Sequence, residues 1–180
     1  MSTRVLRWRP LEGTGLEHLE LTEEADRVLA RSVLIGERDG LAFGLRYEVE
    51  LSPSWLVRSL AVERTDGAVL RLESDGQGRW LLDGEAAREL DGCLDIDISG
   101  TPFSNTLPIR RCGLAEGAPQ RFRMAWVPLD TLRPFADGQV YTRLGERRFR
   151  YQSEDGSFER VIETDGEGFV TLYPGLFERV

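Results

Sequence analysis

"LAFGLRYEVEL", residues 41–51, sets the class of the fold. Leu41, Phe43, Leu45, Tyr47, Val49 and Leu51 fall on one side of an extended chain, with Arg46, Glu48 and Glu50 on the other. A side-chain period of two with one apolar face is the pattern of a half-buried antiparallel strand. Similar runs follow along the chain: "WLVRSLAVER", "AVLRLES", "GRWLLD", "CLDIDIS", "QRFRMAWVPL", "VYTRLGERRFRYQS", "SFERVIET" and "FVTLYP". Some carry large residues on both faces; Leu56, Leu60 and Val62 oppose Trp55, Val57 and Ala61. Such a sheet needs cover on both sides, or must curl until its concave face is filled. Asp-Gly occurs at 39–40, 66–67, 75–76, 83–84, 91–92, 137–138, 155–156 and 165–166. Between extended runs this dipeptide predicts tight hairpin turns, because Gly accepts positive φ and Asp tolerates it. Helical signal is confined to a turn or two around 85–90, about 104–112, and within "VPLDTLRPFADG". The expectation is a mainly β protein: a single large antiparallel sheet, curled or closed, with a few short helices as cover.

At 180 residues, the chain is long enough to bury roughly 70% of its unfolded surface without disulfides or metals. One domain spanning 1–180 is expected. No apolar run approaches the ~20 residues of a membrane-spanning helix, so no membrane insertion is expected. "MSTRVLRWRP" has basic residues with no apolar run after them, which points to the cytoplasm. All 23 cations are arginine, scattered along a chain of net charge −8, and nucleic acid is not an expected partner. Cys93 and Cys112 form no CxxC pair and His18 is the only histidine, so neither a metal site nor a cofactor is expected. His18 reads as a packed, hydrogen-bonded residue and Cys93 as a small buried one.

The least generic stretch is "LDGCLDIDISGTPFSNTLPIRR", residues 90–111. Within it Leu94, Ile96 and Ile98 alternate with Cys93, Asp95, Asp97 and Ser99. Carboxylates at i and i+2 on one strand face lie about 7 Å apart at the backbone. That spacing suits an acid–base pair flanking a water or a cation site with further oxygen ligands. It equally suits solvated positions on an edge strand, or carboxylates paired with arginine. Pro102 and Pro108 restrict the chain downstream, and Thr101 or Ser104 can cap a short helix. Arg110 and Arg111 can then fold back on Asp95 or Asp97. The result is either an Asp–Arg network that locks a helix across the sheet, or the same network left open, with Asn105, for a hydroxyl-rich head group. Of the tryptophans, Trp8, Trp55, Trp80 and Trp126 suit a core; in a curled sheet the core and the lining of a cavity can be one face.

The run "DGQGRWLLDGEAARELDGCLDIDISGTPFSNTLPIRR" resembles the signature of a bacterial family of uncharacterised proteins described as "Putative glycolipid-binding". "RWRPLEGTGLEHLEL", "YEVELSPSWLVRSLAVE" and "YPGLFERV" extend the resemblance over almost the whole chain. Ser104 stands where the family has Thr. The resemblance implies a strongly curved antiparallel sheet, a half-open barrel with helices across its mouth. That shape is similar to the carriers that move lipoproteins and glycolipids in the cell envelope.

Three functions of different classes follow. The first is a non-catalytic binding protein that holds an amphipathic molecule, a glycolipid among the candidates. Trp55, Trp80 and Trp126 would line its cavity, and Asp95, Asp97, Asn105, Arg110 and Arg111 would hold its head group. The second is an Asp-dependent hydrolase of a sugar or phosphate ester; neighbouring arginines disfavour it by holding both carboxyls ionised. The third is a purely structural role, in which the central motif is a plug whose polar groups satisfy one another.

Overall fold

The computed structural model describes residues 2–38 and 40–180; Asp39, of the first Asp-Gly pair, and the side chains of Arg38 and Leu41 lie outside the described residues. The chain forms one sheet of 15 strands. The first arm comprises β1 (Ser2–Pro10), β2 (Gly15–Glu23), β3 (Val28–Arg38), β4 (Leu41–Leu51), β5 (Val57–Arg64), β6 (Val69–Ser74), β7 (Trp80–Leu82) and β8 (Glu85–Ala86). The second comprises β9 (Asp95–Ile98), β10 (Pro119–Val127), β11 (Phe135–Gly145), β12 (Arg148–Ser153), β13 (Glu159–Thr164), β14 (Val170–Tyr173) and β15 (Phe177–Arg179). A six-residue helix, α1 (Thr106–Arg111), follows a 3-10 turn at Phe103–Asn105, and another 3-10 turn covers Arg88–Leu90. No helix among the described residues is long and apolar enough to cross a membrane.

The strand order is β8 through β1, then β15 down to β9. The chain therefore starts in the middle of the sheet, meanders out to one edge, crosses to the other edge, and meanders back. Tyr47 and Val49 on β4 are buried while Arg46 and Glu48 are exposed, as the alternation predicts. Asp-Gly pairs occupy the β5–β6, β6–β7, β7–β8, β12–β13 and β13–β14 connections. The pair at 137–138 departs from expectation. It lies inside β11, where Asp137 pairs with Met124, and Gly138 is there because a Cβ would meet the Glu154 side chain at 2.0–2.8 Å.

The sheet is rolled rather than closed. Trp8, Leu19, Tyr47, Leu60, Leu72 and Trp80 line the concave side of the first arm. Packed into the same core are Ile96 and Ile98 of β9, Ala125 and Val127 of β10, and in part Ala136 of β11. The opposite face of those strands carries Asp95, Asp97, Trp126 and Asp137, and continues through Tyr141 into a smaller core with Phe149, Tyr151, Ile162 and Tyr173. The outer side of β9–β11 is thus tucked against the inner side of β5–β7. That overlap buries all four residues of β9, the aspartates with the isoleucines.

Residues 87–94 bridge the two edges. The Gly92 amide donates to the Gly78 carbonyl at 2.8 Å, and the Trp80 indole donates to the Cys93 carbonyl at 2.8 Å. After β9 the chain turns back inside the roll, so that residues 101–109 are all buried. It emerges at the end where β9 began. β10 consequently pairs with β9 in parallel, the exception to an otherwise antiparallel sheet. Pro108 sits in the first turn of α1, where a missing amide costs nothing.

Candidate ligand-binding site

The central motif has three polar junctions with the sheet. At the exit of α1, Arg111 grips both oxygens of Asp95, Nε on Oδ1 at 3.2 Å and Nη2 on Oδ2. Asp95 is 1% exposed; burial pushes its carboxyl up, and the guanidinium pulls it back towards the ionised form. Six residues earlier, Asn105 Nδ2 donates to the Tyr141 hydroxyl at 2.8 Å. The third junction is Asp97. Ser104 Oγ donates to its Oδ1 at 2.7 Å and Gln139 Nε2 to its Oδ2 at 2.6 Å. Among the described residues no cation pairs with Asp97. Burial raises its pKa, the two hydrogen bonds oppose that, and the charge on Asp137 adds to the rise.

The Asp97 junction faces a set of aromatic rings. Strand register places Trp126 beside Asp97, Phe135 beside Trp126, and Asp137 beside Met124, all on one face. Trp126 and Asp137 are half-buried, and Phe135 is 49% exposed. Behind them, Tyr141 packs edge-on against Phe122 and Tyr151, with centroids at 5.6 and 5.4 Å. Tyr151 in turn contacts Phe158 and Tyr173. Gln139 is fully buried, yet its Oε1 has no partner; the same holds for Thr106 Oγ1. A buried acceptor left open is costly, and Gln139 Oε1 is one such acceptor on this face.

The structure gathers Asp95, Asp97, Asn105, Arg111 and Trp126 around the motif. It separates Arg110, Trp55 and Trp80 from them. Arg110 turns away from Asp95: it stacks over the Trp55 ring at 4.1 Å and donates to the Glu167 carbonyl at 2.9 Å. Trp55 holds a positive φ of 65° there, a conformation that costs a non-glycine residue energy. Trp80 lies in the larger core. Cys93 is buried, its thiol pushed up to about 11 by burial. His18 lies half-buried on the outer face, where it accepts from Arg7 Nε at 3.0 Å.

Two open clefts of about 670 and 680 Å3 flank the β6–β7 turn. Two of the polar groups that line them are already engaged: the Asp75 carboxylate holds the Gln77 and Arg79 amides, and the Trp80 indole holds Cys93. The face around Asp97, with open acceptors beside rings, is the better seat for a ligand.

A third buried acid lies outside the central motif. Glu17 on β2 is 1% exposed and accepts from Tyr47 at 2.5 Å and from Ser32 at 2.9 Å, with Thr101 of the central motif above Tyr47. Its Oε2 has no partner. Burial raises the carboxyl to about 7, against three hydroxyls that lower it. The signal was present: Glu17 shares its parity with Leu19 and Leu21, which face the core.

A single rolled sheet with a short helix inside defines a class that is known in crystals. A DUF1089 family protein from Pseudomonas aeruginosa has a structure similar to this one, with a TM-score of 0.81, 38% identity, and 94% of each chain covered. Among curated proteins none matches. Residues 5–179 match the family described as "Putative glycolipid-binding", and the chain belongs to that family.

Proposed function

We propose that the protein is a non-catalytic binding protein for an amphipathic molecule of glycolipid type, seated on the concave face of the second arm. The observation that carries this reading is the acceptor-rich face at Asp97, Asp137 and Gln139, adjoining the rings of Trp126, Phe135 and Tyr151. Sugar hydroxyls need acceptors in fixed positions and a ring to stack on, and an apolar tail needs an aromatic wall. Tyr151, Phe158 and Tyr173 supply that wall. The family's description points the same way.

Asp95 and Arg111, Asn105 and Tyr141, and Ser104 and Asp97 hold the central motif in place beneath the ligand. Asp95 is thereby assigned to the scaffold. A hydrolytic role for Asp95 and Asp97 is disfavoured, because Asp95 is closed off by Arg111 and has no free oxygen for a water.

Native mass spectrometry of freshly purified protein, before and after organic extraction, tests the proposal. A retained mass lost on extraction supports it and identifies the lipid class. An unliganded mass, together with no binding of octyl glucoside or of its 2-amino analogue, sinks it.

A further inference from the structure

The seat around Asp97 has a charge imbalance that a neutral sugar does not correct. Asp97 and Asp137 share the face, and Asp137 also feels Asp155 and Glu154. Three arginines of this half are engaged elsewhere. Arg111 is on Asp95, Arg121 bonds Glu154 at 2.9 Å, and Arg160 lies 4.6 Å over the Phe158 ring. Among the described residues neither Asp97 nor Asp137 has a salt-bridge partner. The Gln139 amide, whose nitrogen is fixed on Asp97, adds a buried oxygen with nothing to accept from.

Unpaired carboxyls in a partly desolvated site favour a cation. The neighbouring rings narrow its kind. An indole and a phenyl face attract an ammonium through their quadrupoles, whereas a hard metal ion requires six to eight oxygens. Among the described residues no group of three or more His, Cys, Asp or Glu could hold a metal ion.

We infer that the head group bound here carries an ammonium, held between Asp97, Asp137 and the open oxygen of Gln139 with Trp126 and Phe135 beside it. An amino sugar or another primary amine on an apolar tail has this chemistry. The inference rests on the binding proposal above and specifies its ligand.

A matched pair of amphiphiles separates the two ideas: octyl glucoside and its 2-amino analogue, octyl glucosaminide, titrated below micelle formation with tryptophan fluorescence or calorimetry as the readout. The amine should bind about tenfold tighter, the ratio expected when one added charge interaction survives solvation. Asp137→Asn, at a half-buried position that leaves the motif's bonds intact, should bring the two affinities within about threefold by weakening the amine more. Trp126→Leu should lower the amine preference by a similar direction and smaller factor. Equal binding of both amphiphiles by the unaltered protein overturns the ammonium inference and leaves the binding proposal standing. Binding of neither overturns both. An amine preference that survives Asp137→Asn and Trp126→Leu also overturns the inference, since the charge is then recognised elsewhere.

Discussion

Replacing Glu17 with glutamine should make the protein more stable at alkaline pH and leave it nearly unchanged in mild acid. Among the described residues no cation pairs with Glu17. β3 contributes Ser32, β4 contributes Tyr47, and the returning chain contributes Thr101; of these only Tyr47 titrates, and burial holds its pKa well above the ordinary value. A carboxyl that titrates near 4.5 in the unfolded chain and about 7 in the fold keeps its proton in the native state across that window. The folded state then binds more protons than the unfolded one, so stability falls as pH rises from 4.5 through 7 and levels off above. At about 1.4 kcal/mol per pH unit, the loss amounts to about 3 kcal/mol. Glutamine keeps an oxygen for Tyr47 and Ser32 and carries no charge, so Glu17→Gln removes this slope. Urea unfolding of both proteins between pH 4.5 and 9 should give curves that nearly meet at pH 4.5 and separate by about 3 kcal/mol, the variant above, by pH 8. A constant gap across the range would refute the reasoning, as would a gap that opens only on acidification.

Arg111→Ala leaves Asp95 buried without its partner and should cost about 3–5 kcal/mol in chemical denaturation at pH 7. Gly78→Ala forces a positive-φ position and pushes a Cβ to 3.1 Å from Gly92 Cα, so it should lose more stability than Gly84→Ala, whose Cβ meets nothing within 4 Å; the excess should be about 1–3 kcal/mol in a thermal melt. Trp80→Phe keeps a ring in the larger core and removes the donor to the Cys93 carbonyl, for a loss of about 1–3 kcal/mol by urea titration.

The sheet was legible in the sequence because its signals are local. Alternation in 41–51 needs only eleven consecutive residues, and most Asp-Gly pairs sit at turns for reasons of their own backbone. The exception at 137–138 shows the limit of that logic, since Gly138 answers to a side chain across the strand rather than to a turn. Alternation also divided β9 correctly into an isoleucine face and an aspartate face. It could not say that both are buried, because that follows from one end of the sheet rolling over the other. The candidate site divided along the same line. Arg111 lies 16 residues from Asp95 and was within reach of the reading. Gln139 lies 42 residues from Asp97, and nothing in its own neighbourhood, "DGQVY", marks it. Arg110 and Arg111 looked equivalent as a pair, but adjacent residues on a helix point about 100° apart. One therefore meets the sheet and the other meets Trp55.

The junction between β1 and β15 has a kinetic consequence. Among the described residues it is the only place where the two arms join edge to edge, and it consists of three residue pairs, against eleven between β3 and β4. Its members are far apart along the chain, as in Arg9 and Glu178, which are separated by 169 positions. Each arm can zip from its own hairpins, whose loops are short and quick to close, while the junction must wait for a search across almost the whole chain. The two arms should therefore acquire amide protection early and the strip along β1 and β15 late. The same strip, short and last to form, is where a roll of this kind would first come apart.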